Sequence, residues 1–155
     1  MMIPALQVRR VKTAPVKGSG PSVAKKRKRK RKGHYHTGVH ASPKTGLTCK
    51  YRSGWESSYM QYLDASPDVI TWAYESIVIP YVSNKKTGKL RNYHPDFLVT
   101  YADGHIELVE VKPARRVHQV KVAKKLLAAG DWARAHGVAL VVITEVELKQ
   151  LGLLK

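Results

Sequence analysis

The sequence predicts an α/β domain, built as a mixed β-sheet flanked by helices, behind a basic arm. Strand-like runs rich in β-branched and aromatic residues alternate with amphipathic helical segments along residues 51–155. This part holds all 11 acidic residues of the 155-residue chain and 14 of its 28 Lys and Arg. Residues 1–50 hold the other 14 basic residues and no acid. We therefore expect an arm and a domain, divided near residue 51.

The arm carries most of the net charge of +17. We expect residues 1–32 to be disordered without a partner, since a long run of like charges cannot form a core. Residues 33–50, rich in Gly, His and Thr, are predicted to form a loop. Such a cationic segment binds nucleic acid by releasing counterions, although a localisation signal or a solvated tail is the alternative interpretation. Its candidate DNA-binding residues are Lys25, Lys26, Arg27, Lys28, Arg29, Lys30, Arg31 and Lys32.

The composition argues against a membrane or secreted protein. No apolar stretch is long enough to span a bilayer, and the N-terminus lacks the charged-then-apolar pattern of a signal peptide. Cys49 is the single cysteine of the sequence, so it cannot form an intrachain disulfide. We expect an intracellular protein that makes no contact with membranes.

The domain is predicted to begin with a helix at Ser53. Ser53 and Glu56 have capping-box spacing, and the apolar residues that follow recur at helical intervals until Pro67. Three strand patterns come next. They cover Val69–Val82, Leu90–Tyr101 and Ile106–Lys112.

The remaining elements complete an alternating order. A helix is predicted over Val117–His136, with Gly130 as a candidate break and Gly137 as its C-cap. Val138–Ile143 is an unbroken apolar run, typical of a strand buried on both faces. A short helix is expected from Glu145. The order α-β-β-β-α-β-α predicts helices on both faces of a mixed sheet.

The hairpin between the second and third strands decides which side chains meet. A two-residue turn would pair Asp96 with Val111, whereas a three-residue turn that ends at a left-handed Gly104 pairs Asp96 with Glu110. The second register also places Val109 and Val111 on the opposite, core-facing side together with Phe97. The apolar pattern and the carboxylates therefore favour the same register.

This register brings a set of side chains suited to metal chemistry together. Glu110 and Lys112 lie two residues apart and project to one face of their strand. Two carboxylates that meet on a face repel each other unless a cation lies between them. Mg²⁺, with Mn²⁺ as the alternative, is a hard ion that takes oxygen ligands. Asp96, Glu110 and the Val111 carbonyl are its predicted ligands, and Glu56 is a further candidate.

These residues carry a resemblance to a known family. A helical Glu, a Pro-Asp pair and a Glu-x-Lys motif, in this order, resemble the PD-(D/E)xK nuclease superfamily. In more detail, the chain from about residue 50 to 145 resembles the N-terminal endonuclease domain of TnsA and the small head-completion nucleases of tailed phages. The segments that carry the resemblance are Tyr51-Arg52-Ser53-Gly54-Trp55-Glu56, Tyr74-Glu75, Ile79-Pro80-Tyr81, Tyr93-His94-Pro95-Asp96-Phe97 and Glu110-Val111-Lys112-Pro113.

The resemblance implies a fold and an activity. The expected fold is the restriction-endonuclease-like αβββαβ core, and the expected activity is Mg²⁺-dependent hydrolysis of DNA phosphodiester bonds. It implies a phage or mobile-element setting, in the bacterial cytoplasm or the virion, with a phage or transposition protein as partner. A homodimer would supply the two active sites that cutting both strands needs. The implied catalytic residues are Glu56, Asp96, Glu110 and Lys112, and Arg52, Arg115 and Arg116 are expected to contact DNA.

Each feature also has a simpler interpretation. Glu56 could serve its helix cap alone, Asp96 could be a strand-end residue, and Glu110 with Lys112 could be a surface ion pair. Glu75 is a secondary candidate for the site. At the level of the protein, the alternatives are a non-catalytic DNA-binding protein of virion assembly that retains the nuclease fold, and a basic RNA-associated protein.

Overall fold

The protein structure is a computed structural model that describes residues 36–155. The basic run at residues 25–32 lies outside the described residues, so its predicted role in DNA binding stays a prediction. No helix in the described part is long and apolar enough to cross a membrane.

The elements of residues 36–155 are, in chain order, β1 Gly38–Ala41, β2 Thr48–Tyr51, α1 Gly54–Ala65, β3 Val69–Tyr74, β4 Ile79–Asn84, β5 Lys89–Tyr93, β6 Phe97–Tyr101, β7 Ile106–Val111, α2 Ala114–Val117, α3 Val120–Ala135, β8 Ala139–Ile143 and α4 Glu145–Gln150.

Four strands form the central sheet, in the order β3-β6-β7-β8. The first three are antiparallel, and β8 pairs parallel to β7. Helix α3 provides the crossover between these two parallel strands. With α1 ahead of β3, this is the predicted αβββαβ order in a mixed sheet, and the predicted fold class is confirmed.

Alternate residues of the strands pack on opposite faces of the sheet. Val109 on β7 belongs to a core that also contains Phe97, Met60 of α1 and Leu148 of α4. Its neighbour Leu108 belongs to a second core, shared with Ala129 of α3 and with buried side chains of β4 and β5. The face that carries Leu108 is therefore covered by α3 and the β4–β5 hairpin.

Two of the predicted strands are each interrupted, which corrects the sequence-based prediction. The Val69–Val82 run divides into β3 and β4 at Glu75, whose φ of 47° is outside the strand region. The Leu90–Tyr101 run divides into β5 and β6 at His94–Asp96. Consequently β4 and β5 leave the central sheet and pair with each other. The apolar pattern did not reveal this, because a hairpin packed on a helix buries alternate residues as a sheet strand does.

The predicted loop over residues 33–50 is wrong where the structure describes it, because β1 and β2 form a hairpin there. Its turn is fixed by Lys44, whose Nζ donates to the carbonyl oxygens of Leu63, Ser66 and Val69 at 2.5–2.9 Å. These carbonyls lie at the C-terminus of α1 and just beyond it. Short polar strands give little hydrophobic pattern, and the sequence therefore resembles a loop.

The C-terminal elements follow the prediction with two corrections. The helix expected over Val117–His136 is α3, which begins later, at Val120, and a separate short helix, α2, precedes it, while Gly130 does not break α3. Strand β8 is an edge strand whose residues pack on both faces, Val141 and Ile143 in one core and Leu140 in the other, as predicted, although Ala139 at its start is exposed. Gly137 ends α3 with a φ of 66°, and α4 begins near Glu145, both as predicted.

Candidate active site

The turn between β6 and β7 brings the two predicted carboxylates together. Tyr101 N–H donates to the His105 carbonyl at 3.0 Å, and Gly104 has a φ of 89°. This is the predicted three-residue turn. The ladder pairs Phe97 with Val109, so the preceding residue, Asp96, lies opposite Glu110. The predicted register is confirmed.

Asp96 lies immediately before β6, where two backbone N–H groups bond to it. Its Oδ2 accepts a hydrogen bond from the Val111 N–H at 2.8 Å, and its carbonyl accepts one from the Glu75 N–H at 2.9 Å. The residue is 9% exposed. Burial, and then the negative charge of Glu110, raise the pKa of this carboxyl well above its ordinary value, although the Val111 N–H lowers it. The site therefore favours a cation near Asp96.

Both carboxylate oxygens of Glu110 have defined donors. Lys112 Nζ donates to Oε1 at 2.7 Å, and the Tyr93 hydroxyl donates to Oε2 at 2.7 Å. Glu110 is 4% exposed. Burial lowers the pKa of Lys112, but the nearby carboxylates, Glu110 foremost, outweigh this effect and the pKa is raised overall. Lys112 thus forms an ion pair with a buried carboxylate, and the pair is not exposed on the surface.

Glu56 lies beside the carboxylate pair and also caps α1. Its N–H donates to Ser53 Oγ at 3.1 Å, which confirms the predicted helix start. Its Oε2 accepts from the Tyr74 hydroxyl at 2.7 Å and from the Arg52 N–H at 2.8 Å. Its charge adds to the rise in the pKa of both Asp96 and Lys112. The capping role and the proximity to the site coexist.

A cavity of about 690 Å³ opens next to these residues. Glu56 and Lys112 line it, together with three basic residues that the sequence predicted to contact DNA, Arg52, Arg115 and Arg116. Arg52 pairs with Glu75 at 3.1 Å, and the other two arginines lie on α2, directly after Pro113. The cavity thus brings Glu56, Val111 and Lys112 together with the three arginines, whereas Asp96 and Glu110 are buried beside it and do not line it.

Three functional candidates were missed in the sequence. Tyr93 holds Glu110, Tyr74 holds Glu56, and Lys125 lies over the Tyr93 ring with its Nζ 5.3 Å from the ring centroid. The two tyrosines lie in strand patterns, where aromatic residues are typical of a core. Their hydroxyl partners depend on contacts between strands that sequence spacing does not reveal.

The donor set suits a hard cation with few protein ligands. Within residues 36–155, no group of three or more His, Cys, Asp or Glu side chains converges to hold a metal. The protein ligands would therefore be the two carboxylates Asp96 and Glu110, with the Val111 carbonyl as the predicted third. Mg²⁺ commonly binds through one or two carboxylates and retains several waters, so the residues present fit this ion.

Comparisons with known proteins find two similarities. The family model described as TnsA-like endonuclease N terminal matches residues 66–145, a range that includes Asp96, Glu110 and Lys112. The chain is also 31% identical to the head completion nuclease of Enterobacteria phage T4, in a match that covers 66% of this chain and 82% of the phage protein.

Proposed function

The chain belongs to the TnsA-like endonuclease N-terminal family, and from this membership we propose that it is a Mg²⁺-dependent endonuclease that hydrolyses phosphodiester bonds in DNA. The observation that carries the proposal is the buried pair Asp96 and Glu110, with Lys112 Nζ 2.7 Å from Glu110. A protein that only bound DNA would gain nothing from two buried carboxylates near the phosphates of the DNA, because carboxylates repel a polyanion.

A divalent cation would balance the charge of the pair. Lys112 supplies one positive charge against Asp96, Glu110 and the nearby Glu56, so negative charge remains. Asp96 and Glu110 would hold the ion, with the Val111 carbonyl as a further ligand. When bound, Mg²⁺ supplies positive charge that polarises a phosphate and favours the ionisation of water.

The protein's own groups perform the remaining work in this proposal. Lys112, fixed on Glu110, orients the attacking water or neutralises charge that develops on the phosphate. Tyr93 fixes the other oxygen of Glu110, and such supporting hydrogen bonds keep a ligand in its productive orientation. Glu56, held by Tyr74, adds negative charge that favours the cation.

The DNA would enter along the cavity. Arg52, Arg115 and Arg116 line it, and arginine is well suited to bidentate contact with phosphate. Contacts of this kind position a strand without reading its sequence. The cavity therefore supports a nuclease that selects DNA by its shape or through a partner, with the basic arm adding affinity.

The phage relative supports a biological setting. Because it is named a head completion nuclease, we extend the proposal to processing of DNA during phage assembly, inside the host cell or on the virion, alongside other phage proteins. A homodimer would bring two sites to the two strands of one duplex.

The test is plasmid nicking and cutting with Mg²⁺, Mn²⁺ or EDTA. We expect cleavage with either metal and none with EDTA. Asp96→Asn and Lys112→Ala should each lower the cleavage rate by about 100-fold or more, as losses of charge stabilisation in active sites commonly do. Asp131→Asn and Lys149→Ala are matched controls outside the site and should cut like the natural protein.

DNA binding measured in parallel separates the alternatives. Tight binding without cleavage under every metal condition would contradict the proposal and leave the non-catalytic virion-assembly protein. Preferential binding of RNA over DNA at the same salt concentration would instead support the RNA-associated alternative.

A further inference from the structure

A second basic surface lies on the face of the sheet that carries the carboxylates. Glu110 follows Leu108 by two residues on β7 and so projects to the same side, where α3 and the β4–β5 hairpin pack. The hairpin and the helix touch directly, since Lys124 Nζ donates to the Ser83 carbonyl at 2.8 Å. We call the β4–β5 hairpin with the first two turns of α3 the hairpin–helix surface.

The charge of this surface has one sign. Residues 76–93 and 113–130 contain no acidic residue, although the domain as a whole is nearly neutral. Within the described part of the chain, none of the basic residues of the surface forms an ion pair, and all are exposed or half-buried. The basic residues of the hairpin–helix surface are Lys85, Lys86, Lys89, Arg91, Lys121, Lys124 and Lys125.

Lys125 connects the hairpin–helix surface to the carboxylates. Its ammonium group lies over the ring of Tyr93, and the hydroxyl of that ring donates to Glu110. Burial, together with the charges of Lys112 and Lys121, lowers the pKa of Lys125, although Glu110 opposes the change. A phosphate placed near Lys125 would relieve this crowding of cations.

We propose that the hairpin–helix surface is a second binding site for double-stranded DNA. The DNA backbone would run from the carboxylates past Tyr93 and along this surface. The direction of the DNA in this inference rests on the proposed function, which places the cut at Glu110. None of the seven basic residues lines the cavity, so this site is separate from that of Arg52, Arg115 and Arg116.

The dimensions fit a duplex. Each strand residue advances about 3.3 Å, so the hairpin tip, six residues before Tyr93, lies up to roughly 20 Å from its base. This corresponds to about six phosphates along one strand. A two-stranded ribbon also fits the width of the major groove. Lys85 and Lys86 would therefore contact backbone about half a helical turn from the cut.

The experiment uses the full chain made inactive by Asp96→Asn, so that binding is measured without cleavage. The test variant adds Lys85→Gln, Lys86→Gln and Lys89→Gln. The control variant adds Lys50→Gln, Lys149→Gln and Lys155→Gln, which remove the same charge elsewhere. We measure affinity for a duplex over salt concentrations from about 50 to 200 mM, and the hydroxyl-radical footprint.

We expect the test variant to reduce the slope of log affinity against log salt by about 2 to 3, because each lysine that no longer neutralises a phosphate lowers the slope by about 0.9. Its footprint should shorten by roughly five base pairs at one end. The control should keep its footprint, and its slope should fall by less than about one unit. Equal reductions of the slope in both variants, or an unchanged footprint in the test variant, would overturn the inference.

The outcomes also separate this inference from the proposed function. A protein that never cuts, but whose footprint shortens in the test variant, retains the second DNA site and loses the nuclease. A protein that cuts, but whose footprint does not depend on the hairpin, retains the nuclease and loses the second DNA site. Absence of any DNA binding by the full chain would overturn the inference outright.

Discussion

At the scale of single residues, the site depends on how its carboxylates are held. Glu110 is fixed through both oxygens, by Lys112 on one and Tyr93 on the other. The Asp96 carboxylate accepts a hydrogen bond from the Val111 N–H, and the Asp96 main-chain carbonyl accepts one from the Glu75 N–H. Buried carboxylates with so few degrees of freedom present their oxygens in one geometry, which is what selective binding of a small cation requires.

Tyr93→Phe tests the support of Glu110 directly. The change removes the hydroxyl that donates to Glu110 Oε2 and keeps the ring that packs in the core. We expect metal affinity or the cleavage rate to fall about 10- to 100-fold, the range found when supporting hydrogen bonds of metal ligands are removed. The measurement is a Mg²⁺ titration of the cleavage rate, with Tyr81→Phe, at a buried tyrosine of the same cluster, as the control. Equal activity of the two variants would contradict the prediction.

Asp64 stabilises the fold outside the site. Its carboxylate accepts hydrogen bonds from Ser42, His40 and the Trp72 indole at 2.5–2.9 Å, and so joins β1 and the turn after it to α1 and β3. We expect Asp64→Asn to lower the free energy of unfolding by about 2 kcal/mol at neutral pH, because charged hydrogen bonds are removed. Urea unfolding checks this value, and Asp131→Asn, at an exposed residue, is the control.

The same residue gives a prediction for pH. Burial raises the pKa of Asp64, but the hydrogen bonds from Ser42, His40 and Trp72 outweigh it and the pKa is lowered overall. Its stabilising effect is therefore complete above the pKa of the unfolded chain, about 3.9, and is lost as the pH falls through the lower folded value. The difference in unfolding free energy between the natural protein and Asp64→Asn should narrow as the pH falls below about 5 and continues down through the folded pKa. A constant difference would contradict this account.

At the scale of elements, glycine conformation fixes the register that the site needs. Gly104 has a φ of 89°, which side chains with a Cβ rarely adopt. Gly130 lies inside α3, where an added Cβ would meet its nearest neighbour at 3.9 Å. We expect Gly104→Ala to lower the free energy of unfolding by about 1 kcal/mol and Gly130→Ala to raise it by about 0.5 to 1 kcal/mol. Urea unfolding of both variants measures the contrast, and equal signs would contradict it.

The elements also define how far the sequence predicts this fold. The register of β6 and β7 was predictable because the turn residue and the apolar alternation agree on it. For the same reason Asp96, Glu110 and Lys112 could be placed on one face. The departure of β4 and β5 from the central sheet was not predictable, because both are apolar strand patterns and their partners are set by tertiary packing. Tyr93 and Lys125 depend on that hairpin, so they could not be found from the sequence.

At the scale of the whole molecule, the acidic residues of the proposed catalytic centre and the basic residues proposed to bind DNA lie in different places. Asp96 and Glu110 form the candidate centre, and Glu56, which caps α1, lies beside them. The basic residues cluster around the cavity, on the hairpin–helix surface and in residues 25–32. A chain with +14 in its first 50 residues and +3 in the rest can separate affinity for DNA from catalysis. This separation is testable because the arm and the carboxylates lie in different parts of the sequence.

Replacement of all eight basic residues at 25–32 by Gln tests the separation. We expect DNA affinity to fall and the slope of log affinity against log salt to decrease by up to about seven, since each phosphate contact contributes about 0.9. Cleavage at saturating DNA should keep its rate, because the residues around the cavity are unchanged. The control exchanges Lys and Arg at the same eight positions, which preserves the charge, and it should bind like the natural protein. A lower cleavage rate at saturating DNA in the Gln variant alone would mean that residues 25–32 also act on the DNA at the cut, so that affinity and catalysis are not separable in this chain.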